Sequence, residues 1–190
     1  MMILPQQKIP GLGRVMQLAY VPEDYDAALK SWTDFGVGPF YKIDRAPFSE
    51  VTYRGQIIDP DITSAFSYWG DMQIELIRQN NAAESIFRTW QDQRRTGLQH
   101  ICIQVEDIED ARARCQALDY EIVQEARAGD AGRFFYAAVP NGPACLVEFA
   151  QIGPPFTIAF EKIRAAAANW DGIDPVRSLG ALLAEGSAAD

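Results

Sequence analysis

The feature that most constrains this chain is an internal repeat. Displaced against itself by 83 residues, "MQLAYVPEDYDAALKSWTDFGV" (16–37) lies over "QHICIQVEDIEDARARCQALDY" (99–120). Glu23 and Asp24 meet Glu106 and Asp107, Ala28 meets Ala111, Leu18 meets Ile101, and Phe35 meets Leu118. A displacement of 73 brings "MQIELIRQ" (72–79) onto the run containing "LVEFAQI", with Glu75 on Glu148. Two matches in the same order imply two copies of one unit, at about 13–78 and 97–151, with a linker at 79–96.

Both copies read alike. "VMQLAYV" and "QHICIQV" alternate as strands do. The acidic pair that follows each suits a helix start, where Asp24 or Asp107 can accept from free amides. "YDAALKSWTDF" and "IEDARARCQAL" continue with helical spacing. Three more strands fit each copy. They are 39–45, then 49–58 or 62–69, then 72–78 in the first, and 120–124, 133–139 and 144–150 in the second. The unit is strand-helix-strand-strand-strand, twice. The linker contains a helix at "AESIFRTWQDQ". After Gly153-Pro154-Pro155 the repeat ends, and two short helices are predicted at "FTIAFEKIRAAAANW" and "DPVRSLGALLAEG", with Pro175 near the first turn of the second. The domain organisation expected is therefore 1–152 plus a helical extension at 153–190 that ends in a frayed "SAAD".

Composition narrows the class. The charge of −9 argues against a nucleic-acid partner, because phosphate binding needs clustered Lys and Arg. No apolar run approaches the roughly 20 residues that span a bilayer, and the start "MMILPQQKIPGLGR" lacks the apolar stretch of a signal peptide. Cys102, Cys115 and Cys145 form no CxxC pair and no even framework, which points to free thiols and the cytoplasm.

The period-2 rule then assigns faces. Leu18, Tyr20, Ile101, Ile103 and Val105 should cover the helices, so Gln17 and His100 point to the opposite face. Glu75 sits between Ile74 and Leu76, and Glu148 between Val147 and Phe149. A carboxylate there is costly unless something pairs with it. If the two sheets face each other, Gln17, Glu75, His100 and Glu148 converge as two repeat-equivalent pairs. They then offer a divalent cation two carboxylates, one imidazole and one amide oxygen. Plainer roles stand beside this: His100, the sole histidine, as a polar strand residue; the glutamates as partners of Arg; Gln17 as a hydrogen-bonding amide.

On "MQLAYVPEDYDAAL", "GDMQIELI", "GLQHICIQVEDIEDA" and "RFFYAAVPNGPACLVEFAQ", over about residues 12–152, the chain resembles the vicinal oxygen chelate superfamily. That superfamily includes glyoxalase I, methylmalonyl-CoA epimerase, extradiol dioxygenases and the fosfomycin- and bleomycin-resistance proteins. The resemblance implies an α+β fold of two tandem βαβββ modules, forming a cupped mixed sheet around a metal site. It implies Gln17, Glu75, His100 and Glu148 as ligands of a divalent ion (Zn, Ni, Co, Mn or Mg). The order Gln, Glu, His, Glu is similar to some glyoxalase I enzymes; the epimerases usually place His first and Gln second. Iron dioxygenases and fosfomycin enzymes need two histidines, and this chain has one. The epimerase's second acid lies in the middle strands of the first unit, where Glu50 is the only glutamate.

The activity implied is that of a lyase or isomerase moving a proton beside the carbonyl of a small molecule, through an enolate that a metal stabilises. Glu148 is the first choice as base, with Glu75 or Glu50 opposite. The alternative is a metal-free protein that sequesters a small molecule, as bleomycin-resistance members do. Phe40, Tyr53, Phe66, Tyr68, Trp69 and Tyr136 are candidates for a substrate pocket or for plain core. Arg54 could meet a substrate carboxylate or a surface acid, and Cys102 suits a pocket wall better than a nucleophile, having no second histidine to activate it. The site can lie within one chain or across a homodimer.

Overall fold

Strands β1 (Arg14–Tyr20) and β7 (Leu98–Gln104) run antiparallel side by side, and their register explains the repeat. Leu18 faces Ile101, flanked by the pairs Gln17–Cys102 and Ala19–His100. A step of 83 residues turns Leu18 into Ile101 and exchanges the two flanking pairs. A pseudo-two-fold axis therefore passes through Leu18–Ile101. On either side, β6 (Met72–Gln79) lies parallel to β1, pairing Gln17–Gln73 and Ala19–Glu75. Strand β10 (Leu146–Ile152) lies parallel to β7, pairing His100–Leu146 and Cys102–Glu148. Steps of 83 and 73 convert the first two pairs into the second two.

The structure is a computed structural model and describes residues 13–187. The signal-peptide reading of residues 1–12 and the frayed end at 188–190 lie outside the described residues. The first half contributes β2 (Phe40–Ile43), β5 (Ile62–Trp69), β6 and β1; the second contributes β7, β10, β9 (Gly132–Ala138) and β8 (Glu121–Arg127). Together they form one curved mixed sheet. Helices α1 (Tyr25–Asp34) and α3 (Ile108–Ala117) are also 83 residues apart at both ends. Each is capped by the aspartate expected: Asp24 accepts from Ala27 N at 2.9 Å, and Asp107 from Glu109 N at 2.8 Å. Each such cap is worth about 1 kcal/mol. Helix α3 packs on Ile101, Ile103, Val147 and Phe149, and α1 on Leu18, Ile74 and Leu76. The helix layer thus takes Ile101 and Ile103 of β7, and His100 and Cys102 face the other way.

Three segments depart from the expectation. Residues 49–58 are not a middle strand of the first copy. They form a hairpin of β3 (Ser49–Tyr53) and β4 (Gln56–Ile57), and β3 pairs with β8 of the other half. Arg54 and Gly55, both at positive φ (49° and 77°), make the two-residue turn that this hairpin needs. The linker helix, α2 (Ile86–Asp92), is shorter than the segment expected and starts at Ser85, whose hydroxyl accepts from Phe87 N and Arg88 N. In the extension, α4 (Pro154–Ala168) begins two residues early, with Pro at its first turn. Before α5 (Leu179–Ser187) a short strand, β11 (Val176–Ser178), pairs with β2. Pro175 precedes this strand rather than opening the helix, and its carbonyl accepts from Phe40 N at 2.8 Å. The unpaired edge of β2 claims the segment that local pattern assigned to a helix.

Candidate functional site

The concave face carries the polar residues that the helix layer excludes. Gln17, Gln73, Glu75, Gln99, His100 and Glu148 are all buried. Gln17, Glu75 and Glu148 line one chamber of about 50 Å³ together with Cys102 and Tyr136. Phe48, Phe66, Phe134, Phe156 and Phe160 supply most of the remaining wall. No lining residue is Lys or Arg.

His100 is fully buried at the inner edge of this group, with Tyr136 edge-on at 5.2 Å between ring centroids. Its Nδ1 contacts Gln99 Oε1, and its Nε2 lies 3.2 Å from Glu148 Oε2. When Nδ1–H donates to the Gln99 carbonyl oxygen, Nε2 presents a bare lone pair to a carboxylate. Two lone pairs face each other there, and only a proton or a cation between them makes the contact favourable. Gln17 has the same problem. Its amide N–H donates to Gln73 Oε1 at 2.6 Å, which leaves Gln17 Oε1 buried with no donor. Gln73 in turn donates to the Tyr68 hydroxyl at 3.1 Å, so the orientation of Gln17 is supported by a chain of hydrogen bonds.

The electrostatics agree. Burial, then the nearby charge of Glu148, push Glu75 up to about 8, against an opposing hydrogen bond from Ser64. Burial first, and Glu148 second, hold the Cys102 thiol and the Tyr136 hydroxyl well above their ordinary values. Both groups remain neutral and can donate to Glu148. The chamber thus brings two buried carboxyl groups near each other with no Lys or Arg in its wall.

Among the described residues no three His, Cys, Asp and Glu side chains close into a metal-holding group as they stand. Only His100 and Glu148 are in contact. The donor set still fits a cation: His100 Nε2 and Gln17 Oε1 have no hydrogen-bond donor or acceptor partner, Glu75 and Glu148 have no Lys or Arg in the chamber wall, and all four lie on adjacent strands.

The other candidates from sequence separate into two groups. Phe66, Cys102 and Tyr136 line the chamber. Tyr68 lies behind it, buried against Tyr41 and Ile163 with Arg164 over its ring. Phe40 packs instead under α1, Tyr53 bonds Thr89 near α2, and Arg54 stands at the hairpin tip over Tyr53. Trp69 is half exposed, in an aromatic group with Trp32 and Phe35. Glu50 is exposed on β3 and pairs with Arg127 at 3.0 Å, outside the chamber wall. Sequence reasoning missed Phe134, Phe156 and Phe160. Phe134 shares the alternation of Tyr136 in "RFFYA", which could have revealed it. Phe156 and Phe160 are four apart on α4, a spacing that marks one helix face but not what that face covers.

A family model described as Glyoxalase/Bleomycin resistance protein/Dioxygenase superfamily matches residues 16–136. Among solved structures, methylmalonyl-CoA epimerase from Mycobacterium tuberculosis is similar at 16% identity and a TM-score of 0.56, over 82% of this chain and 96% of that one. The hypothetical protein BH1468 from Bacillus halodurans C-125 matches at 14% and 0.56, over 74% and 95%. A single-residue variant of Streptomyces coelicolor methylmalonyl-CoA epimerase, in complex with 2-nitronate-propionyl-CoA, matches at 14% and 0.51, over 76% and 99%. At these identities the likeness is one of fold. No curated protein matches the chain in sequence.

Proposed function

The chain belongs to the glyoxalase/bleomycin resistance protein/dioxygenase superfamily, and from that premise we propose that it is a metal-dependent isomerase, epimerase or lyase that moves a proton beside the carbonyl of a small molecule. The observation that carries this reading is the pair of buried carboxyl groups, Glu75 and Glu148, in a chamber walled without Lys or Arg, beside the unpartnered atoms Gln17 Oε1 and His100 Nε2. Gln17, Glu75, His100 and Glu148 would hold a divalent ion. Such an ion, when bound, polarises a carbonyl oxygen and makes the adjacent C–H acidic.

The residues divide the remaining work. Glu148 accepts the proton from the carbon beside the carbonyl, and the C–H electron pair moves into the enolate. Cys102 and Tyr136 lie within hydrogen-bonding reach of Glu148 and orient its carboxylate. Glu75, where it is free of the ion and carries a proton, returns that proton to carbon from its own side. Return from the opposite face inverts the centre, and return to a neighbouring atom isomerises the substrate. The aromatic wall excludes water, which protects the enolate.

A specific observation favours a second reading. Gln99 Nε2 is also buried without a partner. With that amide reversed, Nε2 would donate to His100 Nδ1, and His100 Nε2–H would donate to Glu148. The contact would then need no metal, and the chamber would suit a sequestering protein. Metal analysis of the purified protein, with deuterium uptake from solvent into 2-oxo acids, thioesters and ketones, separates the two. About one divalent ion per site with exchange supports the enzyme; metal-free protein that binds small molecules without exchange supports the alternative.

We further assign 1–152 to the superfamily domain and 153–190 to an extension, of which α4 packs on the sheet. The free state of Cys102, Cys115 and Cys145 supports a reducing, cytoplasmic setting. Among the described residues no helix is long and apolar enough to cross a membrane.

A further inference from the structure

The C-terminal extension does more than decorate the sheet. Helix α4 lies across the concave face, with Phe156 and Phe160 stacked on each other at 5.5 Å and 14°. Phe160 meets Phe66 of β5 at 5.7 Å, and Phe156 meets Phe134 of β9 at 6.2 Å. One helix therefore touches both halves of the repeat above the carboxylates. The same helix face continues along the first half. Ala159 and Ile163 are buried against Tyr41, Tyr68 and Leu179. At its start, a Cβ on Gly153 would fall 2.0 Å from the Asp130 carbonyl oxygen, so only glycine lets the chain turn there.

Outside α4 runs a second, larger hollow of about 520 Å³, reached by Arg14, Gln104, Thr157 and Arg164. It shares Met16, Ile152 and Phe160 with the inner chamber. Of these three, Phe160 alone comes from α4. The inner chamber, at about 50 Å³, is about a tenth the size of that hollow.

We infer that Phe160 is a specificity-determining residue: it stands between chamber and groove and restricts the substrate to a carbonyl compound with a small substituent. This rests on the proposed proton transfer at Glu75 and Glu148. A bulky substituent needs the space that the Phe160 ring fills between chamber and groove. Replacing the Phe160 ring with a methyl group joins the chamber to the groove without touching any ionisable residue of the site.

The test is binding of butanone and acetophenone to the purified protein and to F160A, F160L and F160W by ligand-observed NMR. Thermal unfolding of each variant is followed in parallel, and F160L and F160W decide the matter if F160A is unstable. Expected are butanone binding to the wild type and at least 10-fold weaker acetophenone. In F160A and F160L the ratio of acetophenone to butanone affinity should rise at least 10-fold, and in F160W it should fall. Wild-type protein that binds acetophenone as tightly as butanone overturns the inference, as do variants whose size preference is unchanged. Size-selective binding with no deuterium exchange into any ketone would remove the proton-transfer reading and leave the size filter standing. Exchange into acetophenone by the wild type would do the reverse.

Discussion

The two halves of the sheet share one backbone plan and differ in chemistry at each equivalent position. Gln17 corresponds to His100, Glu75 to Glu148, and Ala19 to Cys102. Phe66, opposite Glu75, corresponds to Tyr136, opposite Glu148. In the second half the carboxylate touches an imidazole and is flanked by a thiol and a phenol. In the first half it has a serine hydroxyl and a phenyl ring, and burial drives it toward the neutral acid. Repetition supplies a symmetric place, and unequal side chains give the two carboxyl groups the different surroundings that the proposed acceptor and proton holder would need. An acid and a base poised on opposite sides of a substrate are what transfer beside a carbonyl requires.

The largest effects should come from the second half. H100A and E148A are each expected to lower metal affinity at least 100-fold, since each removes one of the two donors already in contact. Elemental analysis after dialysis would show this. Metal content at the wild-type level in both variants would remove the ligand assignment.

Next comes the first-half acid. In the metal-free protein Glu75 is raised from 4.5 to about 8. Between those values the unfolded chain has released its proton while the folded chain keeps it. Stability contributed by the neutral acid is therefore complete below about pH 4.5 and is lost as pH rises toward 8. The slope should reach at most about 1.4 kcal/mol per pH unit. E75Q, which is neutral throughout, should lack this slope. Urea unfolding of both proteins at pH 5, 6.5 and 8 tests it, and parallel curves would show that Glu75 is ionised in the folded state. In the same variant, proton return from the Glu75 side should fail, leaving deuterium uptake without inversion.

A smaller effect sharpens the comparison itself. Q17H places an imidazole at both symmetry-equivalent positions. It sacrifices the 2.6 Å bond to Gln73 but replaces a weak amide donor with a strong one. Zinc affinity should rise about 10-fold, the scale of 1.4 kcal/mol. A competition titration against a chromophoric chelator reads this directly, and unchanged or weaker affinity would show that Gln17 is a hydrogen-bonding residue only.

How much of this was legible in the sequence depends on whether a residue's role is set locally. The offsets of 83 and 73 held to the residue, because strand register and capping aspartates both follow from short-range pattern. The face of His100 followed from the alternation with Ile101 and Ile103. The hairpin at 49–57 was not legible as such, since nothing local says which sheet edge an extra pair of strands will join. The closure by α4 was hidden for the same reason. Phe156 and Phe160 announce an apolar helix face, and only the tertiary arrangement says that it covers the acid pair. Phe40 and Trp69 erred in the other direction: aromatic residues on strands of the first half, one drawn under α1 and the other left at the surface.

The smallest expected effect concerns Glu50, the acid that the family resemblance put forward beside Glu75. It lies on β3, which joins the outer edge of the second half rather than the chamber of the first. Its carboxylate is mostly exposed and pairs with a half-exposed Arg127 at 3.0 Å. Exposed pairs of this kind contribute about 0.2–1 kcal/mol. Glu50 also has a φ of 51°, which alanine tolerates no better than glutamate, so E50A leaves backbone strain nearly unchanged and reports on the side chain alone. Stability should fall by less than about 1 kcal/mol, with the difference shrinking in high salt. Metal content and deuterium exchange should stay within 2-fold of the wild type. A loss of exchange in E50A comparable to that in E75Q would move the second acid to the sheet edge, and would mean that β3 closes over the chamber during turnover.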